Sequence, residues 1–201
     1  MADALGTRWA AAGHELMVAG RTESKARELA GKWGGRSGSF REVAEFGEVA
    51  LIAVLYQGMA ATLDGIGDAL RGKAVIDCNN PVEVGHFTLV TRPGVSVAQH
   101  IEQVTGGHVV KAFNLCHADV WRMEPPAFDG RRLVVPYCGN DPEAAELATR
   151  LISDIGCEPL PVGDLRHAHH LEAMAAVMIS LLFGGMDTRS AFNLVADTRG
   201  G

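Results

Sequence analysis

The first residues whose types and spacing could do chemistry are Gly20-Arg21-Thr22 with Lys25. A guanidinium, a hydroxyl and an ammonium gathered at one turn can engage a phosphate, the first through paired hydrogen bonds and the last as a point charge. The turn follows the short apolar run Glu15 to Ala19 and precedes a helical pattern from Glu23 to Trp33. In a dinucleotide-binding unit that position carries Asp or Glu when the ligand is NAD, and Arg when it must take the 2′-phosphate of NADP. Arg21, Thr22 and Lys25 therefore favour NADP, although a solvated basic turn has the same spacing.

The remaining candidates point to less. His167-Ala168-His169-His170 offers an i, i+3 pair, but no carboxylate or cysteine at ligand spacing completes a metal site, so surface histidines are expected. Asp77-Cys78 has no base placed to activate the thiol. Gly65-Ile66-Gly67 sits inside a helical pattern and follows no strand, which makes it a packing feature. Gly34 to Ser39 lacks the Lys-Ser/Thr ending of a phosphate loop and reads as a link. Trp121 and Met123 read as packing residues. Cys78, Cys116, Cys138 and Cys157 show no C-x-x-C spacing and are expected reduced and buried.

The elements that must position these residues alternate. Met1 to Ala12 is a helical pattern ending at Gly13, Glu15 to Ala19 a strand, and Phe40 to Phe46 one or two helical turns. Val49 to Leu55 is continuously apolar, as in a central strand covered on both faces. A helix from Met59 to Leu70, a strand from Lys73 to Cys78, a helix from Ser96 to Val104 and a strand from His108 to Phe113 follow, with an irregular stretch from Val82 to Gly94. Arg132 to Tyr137 and Cys157 to Val162 are further strands. Asp141-Pro142-Glu143 opens a helix with a cap, a proline at the first position and an acid in the first turn. The longest helix runs from Leu165 to Phe183, with Leu171, Met174, Met178, Leu181 and Leu182 on its apolar side. This alternation specifies an α/β fold built on a mostly parallel sheet. We expect residues 1–115 to form a nucleotide-type domain and residues 116–201 a small C-terminal α/β lobe.

With 201 residues, 47% of them hydrophobic and a net charge of −6, the chain can bury one full core, and it lacks the basic footprint of a nucleic-acid binder. No apolar run is long enough to read as a membrane span and no leader pattern is visible, so a cytoplasmic protein is expected.

Several stretches together resemble the coenzyme F420-dependent NADP oxidoreductase family. They are Ala10 to Glu15, Val18 to Ala26, Val75 to Pro81, Val109 to Asn114, Cys138 to Asp141, Gly156 to Pro159, Gly163 to Arg166 and Leu171-Glu172. Each motif alone is weak, but the combination covers nearly the whole chain. The resemblance implies a Rossmann-type doubly wound sheet and hydride exchange between NADP(H) and coenzyme F420, a reaction that needs stacked rings rather than an acid–base pair. No side chain is therefore assigned a catalytic role. It implies nucleotide contacts at Met1 and Ala2, at Gly20, Arg21, Thr22 and Lys25, and at Leu55 and Tyr56. It places Asn79, Asn80 and Pro81 near the nicotinamide, and Asn114, Leu115 and Cys116 at the deazaflavin. It also implies a homodimer.

Family members open with a strand and a Gly-x-Gly turn, whereas here Met1 and Ala2 match the last two positions of that turn and the first strand is absent. Either the start was assigned to an internal methionine or a central strand has been lost; the former is favoured, because a lost central strand exposes two ladders. The other functional readings are an NADPH-dependent reductase of a small acceptor such as an imine or a dehydroamino acid, and a noncatalytic dinucleotide-binding protein.

Overall fold

The computed structural model describes residues 1–83, 85–187 and 193–197; the rest of the expected C-terminal lobe lies outside the described residues. In chain order the elements are α1 (Ala2–Ala11), β1 (Met17–Val18), α2 (Glu23–Trp33), β2 (Arg36–Ser37), α3 (Phe40–Phe46), β3 (Val49–Ile52), α4 (Tyr56–Ile66), β4 (Ala74–Asp77), α5 (Val97–Thr105) and β5 (His108–Lys111). They continue with α6 (Ala118–Trp121), β6 (Ala127–Phe128), β7 (Arg131–Arg132), β8 (Val134–Gly139), α7 (Pro142–Asp154), β9 (Glu158–Pro161) and α8 (Ala168–Phe183).

The main sheet has five strands in the order β3-β4-β5-β8-β9. It is parallel except where β5 meets β8, so strands from the last third of the chain extend the sheet begun by the first half. Alternation along β4 and β5 sorts the core into two layers. Ala74, Ile76, Cys78, Val110 and Ala112 face α1 and α7. Val75 and Val109 face the opposite way, toward α4, α5 and α8. Helices thus cover both faces, which is the doubly wound arrangement the alternation implies.

Local signals account for most helix ends. Ser39 and Ser96 each accept a hydrogen bond from the backbone three residues on while Glu42 and Gln99 reach back, giving two capping boxes at α3 and α5. Asp141 caps α7 ahead of Pro142. Gly34 ends α2 and Gly106 ends α5, both in the left-handed region that favours glycine.

Three expectations change. The link Gly34 to Ser39 contains β2, a two-residue strand paired in parallel with β1; its glycine-rich, polar sequence carries no strand signal. The Val49 to Leu55 run yields only the four residues of β3, which pairs β4 alone and therefore ends the five-stranded sheet, while β1 and β2 stand as a separate pair. The long last helix begins as a 3-10 turn at Leu165–His167, and its buried face is Ala168, Leu171, Glu172, Ala175 and Ala176. Met174, expected on the apolar side, is exposed.

All four cysteines are free thiols. Burial pushes each up to about 12, so at pH 8 only about one molecule in ten thousand carries a thiolate at any one of them. Iodoacetamide at pH 8 should leave the folded protein essentially unlabelled and modify all four cysteines once urea unfolds it, as read by intact mass; rapid labelling of the folded chain would contradict this burial.

Candidate functional site

In parallel register Ile52 lies opposite Asp77, Asp77 opposite Lys111, and Lys111 opposite Cys138 in the antiparallel step. These positions end β3, β4 and β5, where open α/β sheets bind ligands. Asp77 follows Val75 by two residues and Lys111 follows Val109 by two, so both side chains project from the α5–α8 face. There Lys111 Nζ donates to Asp77 Oδ2 at 2.9 Å and to Glu172 Oε1 of α8 at 2.9 Å. All three side chains are completely buried.

The network is saturated by backbone groups. Lys111 Nζ also donates to the Asn79 carbonyl. Glu172 accepts from the Val97 N–H, the first residue of α5, with both oxygens within 3.2 Å; a helix N-terminus favours a carboxylate there. Asp77 Oδ1 accepts from the Asn79 backbone N–H at 2.9 Å and from Asn79 Nδ2 at 2.7 Å, and Nδ2 also donates to the Ile52 carbonyl. Burial opposes the charge on Lys111, but its two carboxylates outweigh burial and leave its pKa raised. Glu172 is raised as well, chiefly by burial, with Lys111 pulling the other way.

This cluster fixes the segment that follows β4. Asn79 spends its amide protons inside the protein, so its side chain braces the strand ends. Asn80 instead reaches across to β5's extension: Asn80 Nδ2 donates to the Asn114 carbonyl at 2.8 Å, and Asn114 Nδ2 donates to Asn80 Oδ1 at 2.9 Å and to the Leu171 carbonyl at 3.0 Å. Asn114 is aimed there by Phe113, whose φ of +61° is unusual for a bulky residue. Edge-on ring contacts with Trp9 at 5.8 Å and Trp121 at 5.4 Å hold that conformation.

Two clusters of the expected residues emerge. Met1, Asn80, Asn114, Leu115 and Cys116 line one cavity of about 230 Å³ together with Cys78 and residues of α8. Within it Asn114 Oδ1 is buried and has no donor. Met1 stands at the amino end of α1 with no side-chain cap, leaving the helix's first-turn N–H groups open to an anion. The second cluster is Gly20, Arg21, Thr22 and Lys25, all exposed, at the start of α2. Arg21 and Lys25 form no ion pair among the described residues. Thr22 caps α2 by conformation without committing its hydroxyl. Leu55 caps α4 and is 69% exposed, with Tyr56 beginning that helix. Pro81 is buried next to Asn80, and Ala2 begins α1.

Lys111 and Glu172 were not singled out from the sequence. The signal was present as a single charge in each of two otherwise apolar elements, His-Val-Val-Lys and the Leu-Glu-Ala-Met-Ala-Ala-Val stretch of the last helix. Removing the cation should leave two uncompensated buried carboxylates. Lys111→Met is therefore expected to lower unfolding free energy by about 3–5 kcal/mol in urea titration; a loss below about 1 kcal/mol would show the cluster to be dispensable.

Comparison with known proteins agrees with this geometry. The family model described as NADP oxidoreductase, coenzyme F420-dependent, matches residues 1–81. The F420-dependent NADP reductase of Methanocaldococcus jannaschii is 30% identical over 148 residues, covering 70% of this chain and 65% of that enzyme, so the chain spans about two thirds of that relative's length. The enzyme of the same name from Methanothermobacter marburgensis is 26% identical over 194 residues, covering 88% of this chain and 85% of its own. Among solved structures, a candidate F420-dependent NADP reductase from Arthrobacter sp. FB24 superposes with a TM-score of 0.79 at 25% identity, covering 93% of this chain and 91% of that one. Through its nucleotide-binding half and the sheet that half organises, the chain belongs to the coenzyme F420-dependent NADP oxidoreductase family.

Proposed function

We propose that the protein transfers a hydride between NADP(H) and the deazaflavin coenzyme F420. The observation that carries the reading is the buried, donor-less Asn114 Oδ1 in the cavity at the strand ends. An orphaned acceptor of this kind costs about 1–3 kcal/mol unless a ligand donor reaches it, and the carboxamide N–H of a nicotinamide is such a donor. Together with the uncommitted Arg21, Thr22 and Lys25, it gives one site for each end of the dinucleotide.

In this reading Arg21, Thr22 and Lys25 hold the 2′-phosphate at Gly20, and the amino end of α1 at Met1 and Ala2 takes the pyrophosphate. Leu55 and Tyr56 lie along the nucleotide, and Asn80 and Pro81 border the nicotinamide. Asn114, Leu115 and Cys116 face the deazaflavin. When bound, the two coenzymes supply the hydride chemistry. The protein supplies orientation and a water-poor cleft, and its network around Lys111 keeps Asn80 and Asn114 in fixed relation. Residues 1–115 act as the nucleotide domain, and residues 116–201 as a lobe that completes the second-coenzyme site. The lobe also makes a homodimer contact through α8, where Met174, Val177 and Phe183 are exposed. We place the enzyme in the cytoplasm; among the described residues no helix is long and apolar enough to cross a membrane.

Arg21→Ala removes a charge partner that NADPH has and NADH lacks, so its dissociation constant for NADPH should rise about 10- to 100-fold while that for NADH changes less than threefold. Equal losses for both nucleotides, measured by fluorescence titration, would remove the 2′-phosphate assignment. The reaction itself is tested by mixing NADPH and oxidised F420 with a form of the protein extended upstream by a strand and glycine turn. Loss of the deazaflavin absorbance is expected. Tight NADPH binding without transfer would instead indicate another small acceptor, such as an imine or a dehydroamino acid, and absence of nucleotide binding a noncatalytic role.

A further inference from the structure

A cavity of about 560 Å³, larger than the one at the strand ends, lies inside the body of the protein. Its walls come from both helix layers. Gly6 and Trp9 of α1 and Leu147 and Leu151 of α7 reach it from one face of the sheet; Val43 of α3 and Ile66 of α4 reach it from the other. Space touched by both layers is space in which no sheet separates them. The two remaining walls are strand edges, Met17–Val18 on one side and Val49–Ile52 on the other.

Those edges are incompletely paired. β1 is bonded in parallel to β2 only, and β3 in parallel to β4 only. Each therefore turns a ladder of backbone N–H and C=O groups toward the cavity, and such groups are costly to bury without partners. A two-residue parallel pair such as β1–β2 is also too small to be stable alone. α1 adds a direction. It packs on the α7 face and leads directly into β1; a strand joined ahead of it would form a right-handed crossover with β1 and so run parallel to β1.

We infer that this slot is the seat of one further strand, about five residues long, joined by a short turn to the amino end of α1 and bonded in parallel to β1 on one side and to β3 on the other. The strand is apolar on both faces, because Trp9 and Leu151 meet one face and Val43 and Ile66 the other. Its insertion merges the two sheets into one of eight strands, adding one to the two of β1–β2 and the five of the main sheet. A compact apolar molecule would fill the walls but leave both backbone ladders unpaired, so the slot fits an extended peptide better than a small ligand.

Amide hydrogen exchange read by mass spectrometry on three intact chains tests this without reference to enzymatic activity. The first is the 201-residue chain, the second carries Val-Ile-Ile-Val-Val-Gly-Ser-Gly ahead of Met1, and the third carries the same extension with proline at alternate strand positions. Exchange at β4 and β5 serves in each as the reference for the folded state. In the valine-rich form, segments covering Met17–Val18 and Val49–Ile52 should exchange at least tenfold more slowly than in the 201-residue chain, relative to β4 and β5. The proline form, unable to donate along the ladder, should not slow them. The dye 1-anilinonaphthalene-8-sulfonate should bind the 201-residue chain and lose most of its fluorescence with the valine-rich form. Equal exchange in all three chains, equal slowing by both extensions, or undiminished dye binding in the valine-rich form would each overturn the assignment.

Discussion

The structure depends most on one buried ammonium shared between two carboxylates. Lys111 stands at the end of β5, opposite Asp77 of β4 in the parallel register, and beneath Glu172 of α8. Through these contacts a single side chain ties two central strands to the helix that closes one face, while Glu172 also engages the start of α5. Ionic groups buried this deeply are expensive, and their desolvation can exceed the attraction between them unless every remaining hydrogen-bonding position is filled. Here Asn79, the Ile52 carbonyl and the Val97 N–H fill them. The return on that cost is geometric rather than energetic: the loop after β4 is held in one arrangement.

That arrangement carries the site. With Asn79 locked, Asn80 extends to the Asn114 backbone and side chain, and Asn114 is locked in turn by the Leu171 carbonyl one residue before Glu172. Phe113 turns the chain at the end of β5, wedged between Trp9 and Trp121. What is left over is one acceptor, Asn114 Oδ1, facing a cavity at the carboxyl ends of the strands. The rigid network and the unsatisfied atom are parts of one device, the first fixing where the second points.

Much of the scaffold was legible in the chain. Helices with strong ends announced themselves, as at Ser39, Ser96 and Asp141-Pro142, because caps act within four residues. The Arg21–Lys25 group was legible because it sits on one turn. The strand β2 was hidden because two residues in a glycine-rich stretch carry no periodicity, and its pairing with β1 is a tertiary decision. β3 reads as a central strand because apolar runs report burial by helices on both faces and are silent about which neighbours pair along the edges. Lys111, Asp77 and Glu172 could not be assembled from sequence, since the register that aligns the first two and the packing that adds the third span more than sixty positions along the chain.

The central claim is that a dinucleotide lies across the strand ends, with its 2′-phosphate at Arg21 and its nicotinamide at Asn114. A crystal structure of the upstream-extended protein with NADPH tests it most directly. The account predicts the 2′-phosphate within hydrogen-bonding distance of Arg21 and Thr22, and the carboxamide N–H donating to Asn114 Oδ1. A nucleotide bound elsewhere, or one bound with Asn114 Oδ1 still unpaired, would contradict it.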